Sequence, residues 1–179
     1  REEVSMVKFL AFFGVVAIGV AVAAAVFFFG GFYSVAGTNA DPALVDRMLI
    51  QVRQASIARH ATDPVPAEDA SAVQAGARAY ATRGCVNCHG APGADWAKWS
   101  EGLRPDPPDL KEVSGERKPG ELFWVIKNGI NMTGMPSFGV AGASDDEIWK
   151  IVAFVKKWPS VTPEDFKAWT ASATATPPG

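Results

Sequence analysis

The sequence predicts an all-α chain, and three observations carry that expectation. Residues Phe9–Tyr33 form a run of 25 without a single charge, rich in Val, Ala and Phe. Two later stretches, Ala70–Arg83 and Ser144–Trp158, place apolar side chains at helical spacing. The apolar–polar alternation that marks a half-buried strand is scarce. A length of 179 residues allows one domain with appendages. A net charge of −2 supplies no basic face of the kind a nucleic-acid partner needs.

The uncharged run comes first. A bilayer core takes about 20 apolar residues in a helix, so this stretch is long enough to span with some tilt. The apolar part of a cleaved secretory signal runs only about 7–15 residues, so the run is read as a single-span anchor. Phe32 and Tyr33 close it as interfacial aromatics do. Arg1 and Lys8 are offset by Glu2 and Glu3, so the flanking charges set no orientation. The chain opens on Arg1 rather than Met, and further upstream residues are expected.

Asp41-Pro42 follows, with Asp41 expected at a helix N-cap and Pro42 at the first helical position. From there to about His60, Leu44, Val45, Met48, Leu49, Val52 and Ala55 make an apolar stripe, with Arg47, Arg53 and Arg59 around the remainder. Three readings stand for this juxtamembrane helix: lying on the membrane surface, docked on a partner subunit, or packed against the chain's own domain. Ala61–Asp69 contains two prolines and reads as a short, stiff linker. His60, just before it, is read as a solvated residue outside the compact domain.

A helix is predicted over Ala70–Arg83, stopping at Gly84. Gly76 lies inside it, four residues before Tyr80 on the same face. A mid-helix glycine costs about 1 kcal/mol relative to alanine, so a second helix is expected to come close there. Ser144-Asp145-Asp146-Glu147 is an N-terminal capping signature. It opens an amphipathic helix with Ile148, Trp149, Ile151, Val152, Phe154 and Val155, ending before Pro159. Thr162-Pro163-Glu164-Asp165 starts a short helix to about Trp169. The tail TASATATPPG is expected to be flexible.

The only two cysteines sit in Cys85-Val86-Asn87-Cys88-His89. That spacing reads as a covalent attachment site for a c-type haem. Residues three and four apart share a helical face, so two thioethers and a proximal imidazole reach one porphyrin from a single turn. Structural zinc wants four protein ligands, and His60 is the only other histidine. A redox C-x-x-C pair accompanies a βαβ pattern, which is missing here.

Asn128–Gly139 (NGINMTGMPSFG) supplies a sixth ligand for the iron, since a thioether suits haem iron and raises its potential relative to a second histidine. Met135 is the expected ligand and Met132 the other candidate. Pro136 restricts Met135 to extended conformations. Met6 and Met48 are read as filler.

CVNCHG, a proline-rich loop and then TGMPSFG before a C-terminal helix resemble a class I cytochrome c over roughly Ala70–Trp158. The resemblance implies thioether bonds at Cys85 and Cys88, with His89 proximal and Met135 distal to one covalent haem c and its iron. Gly76 and Tyr80 correspond to the family's N-terminal helix contact, with Ile151 and Phe154 as partners. Pro108 corresponds to the proline whose carbonyl accepts a hydrogen bond from the proximal imidazole, and Pro107 is a nearby alternative. The stretch from His89 to Pro108, with Trp96 and Trp99, is longer than in the most compact members. Trp124 is either a core aromatic or a donor to a haem propionate.

The resulting division is an anchor (1–36), a juxtamembrane helix and linker (37–69), a cytochrome c domain (70–159), and a short helix with a tail (160–179). An iron with both axial positions filled leaves outer-sphere, one-electron transfer as its task. The expected protein is a membrane-anchored electron carrier on the periplasmic side of a bacterial inner membrane. It would bind the bilayer through its N-terminal helix and exchange electrons with a membrane oxidoreductase or terminal oxidase. The alternatives are an integral subunit of a larger respiratory or dehydrogenase complex, and a haem enzyme of peroxidase type. Asp145, Asp146 and Glu147 are read as a solvated helix start. Lys98, Lys111, Lys118 and Lys127 are either scattered surface lysines or a docking face.

Overall fold

The computed structural model describes residues 2–39, 41–66 and 69–171. Among them are eight α-helices and no strand, so the all-α expectation holds. The chain divides into two units, Arg1–Ala40 and Asp41–Gly179.

The first unit is helix α1, Glu2–Phe29. Its Met6–Phe29 part is long and apolar enough to cross a membrane, as a membrane anchor or a signal sequence is. Gly31, at φ 77°, ends it in the left-handed region. The Phe32 N–H donates to the Phe27 carbonyl (3.1 Å) and the Gly31 N–H to that of Phe28 (3.3 Å), while the Phe27 and Phe32 rings stack at 6.3 Å. Both bonds and the ring contact belong to a Schellman ending. Phe32 is thereby a helix stop as well as an aromatic at the end of the run.

The second unit opens with α2, Ala43–His60. Pro42, rather than Asp41, occupies the cap: its ψ of 133° is extended while its carbonyl already accepts the Asp46 N–H at 3.1 Å. This is the mixed geometry of an N-cap, and it displaces the helix start by one residue from the expected position. Ile57, which lies off the predicted stripe, is the residue α2 buries. The His60 ring stacks on Trp124 at 5.9 Å, so α2 packs on the domain. His60 itself is exposed, but it belongs to the compact unit rather than lying outside it.

Helix α3, Ala70–Thr82, is capped by Asp69, whose carboxylate accepts the Ser71 N–H at 2.9 Å. Helix α7, Asp145–Lys157, is capped by Ser144, whose hydroxyl accepts the Glu147 N–H at 3.2 Å. The two helices cross at Gly76. A Cβ there would lie 1.9 Å from the Lys150 carbonyl oxygen and 3.0 Å from Phe154 Cβ. The expected close approach is present, with the Lys150 backbone as the nearest partner. Tyr80 then meets Phe154 (5.2 Å) and Trp158 (5.6 Å, edge-on). Tyr80, Phe123, Phe154, Ile148, Ile151 and Val155 are fully buried, and each contributes about 1.5–3 kcal/mol of apolar burial.

Two helices in the proline-rich middle escaped the sequence reading. Helix α5, Leu110–Glu116, is capped by Asp109, which accepts the Lys111 N–H at 2.7 Å. Helix α6, Pro119–Asn128, starts with proline at its first position and Glu121 accepting the Lys118 N–H at 3.0 Å. Lys156 Nζ donates to the Ser114 and Arg117 carbonyls at the end of α5, where a cation also suits the helix dipole. Helix α8, Pro163–Thr170, has Thr162 as its cap and buries Phe166, stacked on Phe154 at 5.6 Å. Thr170, read as the start of a flexible tail, is buried with its hydroxyl on the Phe166 carbonyl. Residues 172–179 of that tail lie outside the described residues.

Candidate functional site

The Cys85–His89 segment is delivered by the end of α3. Gly84 turns the chain at φ 77°, and the Cys85 N–H reaches back to the Tyr80 carbonyl at 3.2 Å. This is a second Schellman ending, and it places Cys85 at the cap of α4, Val86–His89. The Cys88 and His89 N–H groups both donate to the Cys85 carbonyl, at 3.2 and 3.0 Å. The pentapeptide is therefore one helical turn that carries two thiols and an imidazole three and four residues apart. Gly90, at φ 67°, ends the turn, and the buried Tyr80 hydroxyl donates to its carbonyl at 2.7 Å.

His89 Nδ1 lies 3.0 Å from the Pro108 carbonyl oxygen. A carbonyl only accepts, so Nδ1 carries the proton and Nε2 keeps its lone pair. Burial pulls the imidazole below its usual range, against the opposing pull of the Pro108 carbonyl. Burial also pushes the Cys85 thiol up to about 12. Neither cysteine is in a disulfide. Among the described residues, no three His, Cys, Asp or Glu side chains gather as a metal site.

Met135 lies in the loop after α6. The loop is pinned to that helix's last carbonyls: the Phe138 N–H donates to Ile126 (3.1 Å), the Gly139 N–H to Lys127 (3.0 Å) and the Ser137 hydroxyl to Lys127 (2.7 Å). Thr133 accepts the Met135 N–H on its hydroxyl at 3.1 Å, while the Ile130 N–H donates to the Met135 carbonyl at 3.1 Å. Gly129 starts the loop at φ 69°, where a Cβ would lie 2.7 Å from the Pro136 backbone. Met135 is half-buried and packs on the same core as Cys85 and Val86. Met132, in the left-handed region at φ 58°, is 91% exposed.

The long stretch before Pro108 connects the two sides. The Ala97 N–H donates to the Asn87 carbonyl at 2.8 Å, a 3₁₀ turn runs over Lys98–Gly102, and Leu103 then packs on Gly134. Trp124, considered as a donor to a propionate, is half-buried with its ring on His60. Arg83, which sequence reading passed over, forks onto the Glu147 carboxylate with two bonds of 2.8 Å and onto the Ala141 carbonyl at 3.0 Å. Its partners lie 58 and 64 residues downstream, beyond what a local sequence signal marks. Asp145 and Asp146 are paired as well, with Lys127 (2.8 Å) and Lys150 (2.5 Å).

Residues 71–155 match the family model for cytochrome C oxidase, cbb3-type, subunit III. The chain carries a cytochrome c domain. No curated protein and no solved structure matches it. The cofactor of a cytochrome c domain is covalently bound haem c with its iron, and such domains carry electrons. The side chains present fit that group: two free thiols on one turn, an imidazole whose Nε2 lone pair is left open, and a thioether packed on the same core.

Proposed function

We propose that the cytochrome c domain is a class I, His/Met-ligated electron carrier. In this reading Cys85 and Cys88 would hold the porphyrin through thioethers, and His89 Nε2 and Met135 Sδ would ligate its iron. When bound, the haem iron supplies a one-electron couple. The Pro108 carbonyl orients His89, and with both His89 and Met135 holding the iron, exogenous ligands would be kept off it. The observation that carries the reading is the contrast between the half-buried, backbone-pinned Met135 and the solvent-facing Met132. A redox titration with absorption spectra tests it. Met135→Ala is expected to abolish the methionine–iron charge-transfer band and lower the potential by on the order of 0.1 V, since axial ligation spans about 0.8 V. An unchanged spectrum and potential would sink the assignment and turn attention to Met132.

In the same reading α1 crosses a bacterial inner membrane once, with the cytochrome c domain on the periplasmic side. Residues 1–36 are the anchor, 37–69 the juxtamembrane segment, 70–159 the cytochrome c domain, and 160–179 the C-terminal extension. The domain passes electrons between a membrane or periplasmic donor and an acceptor such as a terminal oxidase. The family description favours a second reading, a permanent subunit of an oxidase complex. Purification in mild detergent separates the two: a lone chain supports the mobile carrier, and a co-purifying oxidase supports the subunit.

A further inference from the structure

Helix α2 has two apolar faces, and the cytochrome c domain covers one of them. Successive residues advance by about 100°. Ile57 and the half-buried Ile50 therefore share the side that packs on the domain, where Ile57 is 3% exposed. Leu44, Met48 and Val52, with Val45 and Leu49 beside them, lie roughly 150° around the helix from that side. These five are 39–70% exposed. A surface helix of a soluble protein keeps its far side polar, and α2 does not.

We propose that this outward face lies in the headgroup region of the bilayer that α1 crosses, so that the domain rests on lipid through α2. The inference depends on α1 being a membrane span. Thirteen residues separate Phe29, the end of α1, from Ala43. Fully extended they reach about 45 Å, and the turns at 30–31 and 37–38 shorten that. An apolar face tethered so closely meets lipid at high effective concentration. Charge agrees with this occupant: α2 carries Arg47, Arg53 and Arg59 against the single acid Asp46, the balance that anionic headgroups favour. Arg59 enters the outward face only at its C-terminal end, where its long stem lets the guanidinium reach the headgroups.

Spin labels on the full haem-loaded chain test this. With Cys85 and Cys88 consumed by thioethers, an introduced cysteine is the only free thiol. Met48→Cys and Val52→Cys label the outward face, Gln51→Cys its edge, Gln54→Cys the side toward the domain, and Ile18→Cys the middle of α1. The labelled protein is reconstituted in vesicles of phosphatidylcholine and phosphatidylglycerol, and the labels are relaxed with oxygen and with a water-soluble nickel chelate. Oxygen is expected to dominate at positions 48 and 52, at a depth of about 5–10 Å, and the chelate at 51 and 54. Equal chelate access at all four positions while position 18 stays lipid-buried would overturn the proposal and leave the anchor standing. Labels at 48 and 52 shielded from both reagents would replace lipid by a second copy of the chain. Chelate access at position 18 would remove the anchor itself, and the proposal with it.

Discussion

On the Cys85–His89 side the shape is one helical turn closed by its own amides, whereas the Met135 loop is held by amide bonds to α6 and across the loop together with the Thr133 and Ser137 hydroxyls. The proximal turn is bounded by glycines at φ 77° and 67°, closed by its own amide bonds, and braced by the Tyr80 hydroxyl and the Pro108 carbonyl. The Met135 loop is tied by the Ile130, Phe138 and Gly139 N–H groups, and Thr133 and Ser137 add side-chain hydroxyl bonds beside them. Backbone bonds survive most substitutions, and hydroxyl bonds disappear with one atom. On the proposed ligation by Met135, the loop that leans on hydroxyls is expected to loosen first and the helical turn of His89 later.

Four substitutions break or sharpen that comparison. The largest effect is expected from Gly129→Ala, which combines a left-handed φ with a Cβ only 2.7 Å from backbone atoms of Pro136 and Ser137. A loss on the order of 3 kcal/mol is expected, measured by denaturant unfolding of the haem-loaded protein. Wild-type stability would mean that the loop adjusts freely and that the glycine is no hinge.

Tyr80→Phe comes next, because it strips a buried carbonyl at Gly90 of its donor. About 1–2 kcal/mol of stability should go, with the methionine–iron band intact until the domain as a whole unfolds. Loss of that band well before unfolding would show that the two sides are coupled rather than separately built.

Thr133→Ala removes the acceptor for the Met135 N–H and should cost about 1 kcal/mol. Here the band is expected to vanish on warming before the helical circular dichroism changes, and Thr133→Ser should restore it. Coincident loss of both signals in Thr133→Ala would contradict a distal side that loosens first.

The smallest effect belongs to Glu147→Gln. Hydrogen bonds from Arg83 hold the Glu147 carboxyl below its ordinary value of 4.5. A depressed carboxylate stabilises the fold fully above that value, and the contribution fades as the pH falls through the folded-state value. The wild type should therefore exceed the variant by about 1 kcal/mol at neutral pH, and the two unfolding curves should converge in strong acid. A gap that persists in acid would assign Glu147 a packing role instead.

Much of this architecture was legible in local signals. Ser144 and Thr162 cap the helices they announced, and Gly76 marked a helix crossing before any helix was seen against it. The prolines of the middle stretch misled, because it reads as a proline-rich loop when Pro119 opens a helix at a position where its missing N–H does no harm. In α2 the stripe Leu44–Ala55 leaves three readings open, and Ile57, off that stripe, is the residue the domain covers. A helix with two apolar sides gives periodicity no means of choosing between them. The grip of Thr133 and Ser137 on the Met135 loop, and the reach of Leu103 to Gly134, are contacts between distant or irregular segments that no repeat encodes.

The crossing at Gly76 also governs the order in which the chain can fold. Its partner Lys150 lies 74 residues downstream, and a contact of such long range must meet a loop-closure entropy before its packing rewards it. Until α7 has been synthesised and docked, Tyr80 has no Phe154 to pack on, and the core beneath Cys85 stays open. The two thiols are therefore at their most accessible early, while the newly made chain is still incomplete.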